Sequence, residues 1–125
     1  MFLTIQTENA PAAIGPYSQA IVAGDWVFVS GQIGLDPKSG ELKGPDLETQ
    51  ARQALANLET ILKAANRGLN QVVAVDVFLT DMNDFAAFNS IYKDFFGSHR
   101  PARAVVAVKE LPKNAIVEIK CIAGF

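Results

Sequence analysis

Two opposite charges stand inside apolar, β-branched sequence near the C-terminal end: Arg103 in Arg-Ala-Val-Val-Ala-Val and Glu118 in Ile-Val-Glu-Ile-Lys. Burying either charge alone is costly, whereas a guanidinium facing a cleft holds a carboxylate in a fixed two-pronged geometry. Two readings follow, a structural ion pair or a clamp for an acidic ligand with a second carboxylate at hand. Val- and Ile-rich runs from about Arg103 to Lys109 and from about Ala115 to Ala123 predict two strands. Leu111-Pro112-Lys113-Asn114 between them is turn material, so the segment reads as a buried hairpin. If the turn is tight, Glu110 faces Ala115, and Arg103, Val105 and Ala107 share a face with Glu118 and Ile122. Depending on register, the charges are opposite each other or about 13 Å apart at about 3.3 Å per residue.

Other polar groups sit where a ligand could meet them. Tyr17 lies in Asn9 to Ser18, a proline-rich loop that is apolar for a connector, and its ring could wall a pocket while its hydroxyl points inward. Ser30 and Gly31 end a predicted strand, where Gly31 permits close backbone approach or marks a bulge. Asn89 flanks an aromatic helical stripe and is a ligand contact only by position. His99 is the sole histidine, read as a solvated loop residue, which leaves a metal site or histidine triad without support. Cys121 is the only cysteine and reads as a small buried hydrophobe; with no intrachain disulfide possible, a reducing, cytoplasmic setting is expected.

The elements that must position these residues are legible from periodicity. Phe2 to Thr7 alternates as a strand, and Gln19 to Ala23 and Trp26 to Ser30 read as strands joined at Gly24-Asp25. Gly34 to Gly44 is a turn-rich loop. Asp46 to Arg67 is a helix with Ala51, Ala54, Leu55, Leu58, Ile61, Leu62 and Ala65 on one stripe, free of polar residues. Asp46 is its expected N-cap and Gly68 its left-handed stop. Gln71 to Thr80 is apolar on both parities except Asp76, as in a strand covered on both faces. Asp81 to Phe96 is a second helix with Phe85, Phe88, Ile91, Tyr92 and Phe95 read as core, closed by Gly97.

The sum is β-ββ-α-β-α-ββ, a single α+β domain over residues 1–125 with a mostly antiparallel sheet and two helices on one face. The other face is apolar too, which predicts a homo-oligomer packed sheet to sheet, with clefts between subunits. Composition agrees with a globular chain: half the residues are apolar and 19% charged. A net charge of −2 gives no general footprint for nucleic acid, and no run approaches the ~20 apolar residues that cross a bilayer. The N-terminus has no cationic stretch followed by an apolar core, so no secretory signal is expected.

Three stretches taken together resemble the RidA family of reactive-intermediate deaminases, also called the YjgF family. They are APAAIGPYSQAI at Ala10 to Ile21, VSGQIGLDPKSGEL at Val29 to Leu42, and Pro101-Ala102-Arg103 followed by Val117-Glu118-Ile119. NLETILKAA at Asn57 to Ala65 and DFAAFNSIY at Asp84 to Tyr92 extend the resemblance over nearly the whole chain. It implies a chorismate-mutase-like fold, a homotrimer with three clefts between subunits, and no cofactor or metal. It also implies hydrolysis of 2-enamino and 2-imino acids, such as 2-aminoacrylate and 2-iminobutanoate, to 2-oxo acids and ammonia. Residue by residue, Arg103 matches the substrate-carboxylate binder and Glu118 the glutamate that places water; Tyr17, Ser30, Gly31 and Asn89 match pocket positions. Many relatives carry a cysteine where this chain has Val105, so a thiol role at that position is excluded. Two other functions compete: a non-catalytic binder of small carboxylates using the same arginine and, ranked lower, an endoribonuclease or translation inhibitor.

Overall fold

The computed structural model describes residues 2–125. The strands are β1 (Phe2–Ile5), β2 (Ala20–Ala23), β3 (Trp26–Gln32), β4 (Val72–Leu79), β5 (Ala102–Ala107) and β6 (Val117–Ala123), and the α-helices are α1 (Leu47–Ala64) and α2 (Phe85–Phe96). They form one sheet in the order β1-β2-β3-β6-β4-β5. Every adjacent pair is antiparallel except β4 and β5, which run parallel.

The expected hairpin between the last two strands does not form. β4 lies between them, paired to β6 along one edge and to β5 along the other. A β5–β6 hairpin would leave one row of β4 backbone groups without partners, and the observed order satisfies both rows. A parallel pair needs a crossover of about a dozen residues, which the 12-residue α2 supplies between β4 and β5. The chain then leaves β5 through a short 3₁₀ turn at Pro112–Asn114, where Lys113 and Asn114 take positive φ, and enters β6 beyond β4. β5 is therefore an edge strand, exposed along most of its length rather than buried.

Register places the two charges on opposite faces. Glu118, Phe78 and Val106 occupy one cross-strand row, and Cys121, Val75 and Arg103 another. Arg103 and Val106 are three residues apart in one strand, so they point to opposite sides. Cys121 and Val75 are buried on the face that the helices cover, where α1 packs on β3 and β6. The core there is built from Leu55, Ile61, Leu62, Val75, Val77, Leu79, Phe88 and Ile119, each fully buried side chain contributing roughly 1.5–3 kcal/mol. The opposite face has no helix on it and exposes Trp26, Phe28 and Val106 by 49%, 46% and 45%.

α1 begins as expected, with Asp46 accepting from the Thr49 N–H, but ends early: Ala65 is its C-cap and Asn66, not Gly68, takes the left-handed conformation. Its buried face is not purely apolar, because Gln50 and Asn57 are buried within it. Gln50 donates to the Gly44 carbonyl and accepts from the Ile116 N–H; Asn57 donates to the carbonyls of Ile33 and Leu35. These amides tie the 33–44 loop and the entry to β6 onto the helix, satisfying backbone groups that would otherwise be buried unpaired. α2 is preceded by a 3₁₀ turn at Met82–Asp84 and stops at Gly97, whose φ is +65°. His99 is not a solvated loop residue. Its Nε2 lies 2.7 Å from the Val72 carbonyl and its ring packs near Phe96.

Candidate active site

The sequence-predicted residues fall into two groups. Tyr17, Ser30, Gly31 and Glu118 line one cavity of about 280 Å³, together with Gln32 and Pro112. Arg103 and Asn89 line another, of about 300 Å³, with Tyr92, Lys93, Arg100 and Pro101. Within a protomer Arg103 and Glu118 are separated by β4, two strand spacings or about 10 Å across the sheet and three residues along it, and face opposite ways. The ion pairs among the described residues join Arg52 to Glu48 and Asp94, and Lys113 to Glu41. An Arg103–Glu118 pair inside one protomer is thus excluded.

The Glu118 cavity is shaped by a bulge. β3 pairs Val29 with Cys121 and Gln32 with Ile119, so it carries one more residue than β6 across Ser30-Gly31. The glycine is required by the carboxylate beside it: a Cβ on Gly31 would lie 2.8 Å from Glu118 Oε2 and 2.9 Å from its Cδ. Ser30 donates from its hydroxyl to the Ser18 carbonyl at 2.6 Å, which leaves its lone pairs to face the cavity. The Tyr17 hydroxyl accepts from the Ile14 N–H at 3.2 Å and keeps its own proton to donate. Gln19, buried, holds this loop in place by accepting from the Thr7 N–H and donating to the Thr7 and Pro11 carbonyls. Burial raises the Glu118 pKa above its ordinary value, opposed by the charge of Lys120. The bulge gives a test of geometry: Gly31→Ala is expected to lower activity by about one to two orders of magnitude. It should leave the melting temperature almost unchanged, because the group displaced is the end of a flexible side chain. Circular dichroism melts beside steady-state rates check both halves.

The second cavity is built along α2 and β5. Phe85, Asn89 and Tyr92 fall at i, i+4 and i+7 of the helix and so share the stripe that borders the edge strand. The Arg103 guanidinium lies over the Tyr92 ring at 4.7 Å and over the Phe85 ring at 5.9 Å. Asn89 Oδ1 and the Tyr92 hydroxyl are buried there without a hydrogen-bond partner among the described residues. Arg100, also on this cavity, donates to the Gly97 and His99 carbonyls at the end of α2. The sequence pattern assigns neither Tyr92 nor Arg100 to a site. Tyr92 sits in a stripe that reads as core, and it is both core and cavity wall; the signal was a lone hydroxyl among phenylalanines. The Cys121 thiol is buried and its pKa is pushed up to about 12, so it stays protonated and unreactive. No helix among the described residues is long and apolar enough to cross a membrane.

Residues 7–125 match the family model described as Endoribonuclease L-PSP. A RutC family protein of Pyrococcus horikoshii is 53% identical over 95% of this chain and 94% of its own length. The 2-iminobutanoate/2-iminopropanoate deaminase of Mus musculus is 51% identical over 95% of this chain and 88% of its own. Among solved structures, E. coli TdcF with bound serine superposes with a TM-score of 0.94 at 43% identity, over 98% of each chain. The E. coli YjgF gene product does so at 0.93 and 46%, again over 98% of each chain. This chain therefore belongs to the endoribonuclease L-PSP family, known also as the YjgF, RutC or RidA family.

Proposed function

We propose that this protein hydrolyses 2-imino and 2-enamino acids to 2-oxo acids and ammonia, as a homotrimer whose sites lie between protomers. The observation that carries this is the split site: a cation with an amide on one rim, a carboxylate with hydroxyls on another face, each lining its own cavity. The uncovered apolar sheet face supplies the surface against which a second copy packs, bringing the two halves together. The activity borne by the name of the mouse relative, at 51% identity, supports the substrate class, and the serine bound to TdcF supports a small amino-acid-like ligand.

In this reading Arg103 takes the substrate carboxylate in a bidentate grip, with Asn89 beside it. Glu118, aided by Tyr17 and Ser30, holds a water against C2 and accepts its proton as the C2–O bond forms. The resulting carbinolamine expels ammonia, breaking C2–N and leaving the 2-oxo acid; an enamine first gains a proton at C3 to become the imine. A protonated imine is already electrophilic, so positioning supplies most of what the reaction needs.

The test couples a dehydratase that releases 2-aminoacrylate from serine to detection of pyruvate. Faster pyruvate formation on adding this protein is expected; an unchanged rate leaves only a carboxylate-binding trimer. RNA cleavage that disappears in Arg103→Ala would favour the nuclease reading instead. Glu118→Gln is expected to lower kcat by about two to four orders of magnitude while ligand affinity changes far less. Burial favours the neutral acid, so Glu118 gains its proton at higher pH than an exposed glutamate. Activity should therefore fall on acidification with an apparent pKa above the ordinary 4.5, and that limb should vanish from the residual activity of Glu118→Gln. A pH–rate profile for both proteins decides it.

A further inference from the structure

We propose that Tyr92 is a positioning residue for the carboxylate clamp, its ring serving as the shelf on which the Arg103 guanidinium is held ready for a ligand. The inference rests on reading Arg103 as the carboxylate binder. Arg103 projects from an exposed edge strand, where a long side chain has many rotamers and, among the described residues, no ion pair to choose among them. What restricts it is aromatic: the guanidinium carbon stands 4.7 Å from the Tyr92 ring centroid, within the range of a cation–π contact, and 5.9 Å from Phe85.

The two rings differ in what they can do. Phe85 is 40% exposed and can move with its solvent, whereas Tyr92 is 7% exposed and wedged between Phe88 at 5.8 Å and Phe96 at 4.7 Å. Tyr92 is thus the fixed surface. A guanidinium whose carbon rests over that ring keeps its outward N–H groups free to meet a carboxylate in a two-pronged fork, a geometry an ammonium does not share. The contact that Arg103 makes with this side chain is to its ring face, not to its hydroxyl. The pKa of the phenol is raised by burial and drawn back by the nearby Arg103 charge, in keeping with the contact.

The experiment compares wild type, Tyr92→Phe, Tyr92→Leu and Arg103→Ala by calorimetric titration with 2-oxobutanoate and by imine-hydrolysis kinetics. All are measured well below the lowest melting temperature, with the assembly mass checked. Tyr92→Leu should weaken 2-oxobutanoate binding and raise KM about tenfold, with kcat within about threefold, because the reacting atoms are untouched. Tyr92→Phe keeps the shelf and should match wild type within about twofold. Wild-type affinity in Tyr92→Leu, a loss in Tyr92→Phe equal to that in Tyr92→Leu, or a fall confined to kcat would each overturn the proposal. Full affinity in Arg103→Ala would instead remove the reading on which it stands, so the two failures are distinguishable.

Discussion

Arg103→Ala is expected to lower kcat/KM for imine hydrolysis roughly a hundred- to ten-thousand-fold, the loss of two charge-assisted hydrogen bonds worth about 1.5–3 kcal/mol each. Folding should hardly notice. The side chain is exposed, makes no ion pair among the described residues, and its ring contacts are worth about 0.5–1 kcal/mol at such a site. Arg103→Lys keeps the charge but loses both the planar fork and the stacking, and should fall between alanine and wild type. Coupled kinetics with a thermal melt on each variant make the measurement. Retained activity in Arg103→Ala would sink the clamp, and an assembly mass below that of the wild type would assign the arginine to assembly.

Two inactive variants are expected to rescue each other when mixed. If Arg103 of one protomer works with Glu118 of the next, a trimer assembled from Arg103→Ala and Glu118→Gln chains contains sites that draw a native residue from both. With random assembly in equal amounts, about one quarter of all sites, and one in three within each mixed trimer, should be intact, whereas neither homotrimer has any. The register excludes a pairing within one protomer, since Arg103 and Glu118 are on opposite faces with β4 between them, so joint action requires two chains. Co-expression with two affinity tags isolates mixed trimers, and activity no greater than the sum of the parents would show that the charges act separately.

Much of this arrangement was legible from residue patterns because short-range physics sets it. The α1 stripe, the Asp46 cap, the turn at Gly24 with φ of +60° and the stop at Gly97 each depend on a few neighbouring residues. The order of strands does not. β5 and β6 are both Val/Ile-rich and joined by turn residues, so a hairpin satisfies every local rule; the preference for β4 between them comes from backbone pairing across distant segments. That one change of order moves Arg103 to the other face from Glu118. Gln50 and Asn57 were hidden for a similar reason, since their partners lie in a loop and a strand entry far along the chain. The pocket residues named from family likeness fell into two cavities, a division that likeness along a single chain cannot express.

The exposed position of β5 has a consequence for the lone charge it carries. The strand reads Ala-Arg-Ala-Val-Val-Ala, an apolar, β-prone margin with an unpaired backbone edge, the kind of surface on which further strands add and aggregates grow. Arg103 is the only ionic side chain along that margin, so the group proposed to seize a metabolite also serves as a gatekeeper against self-templating.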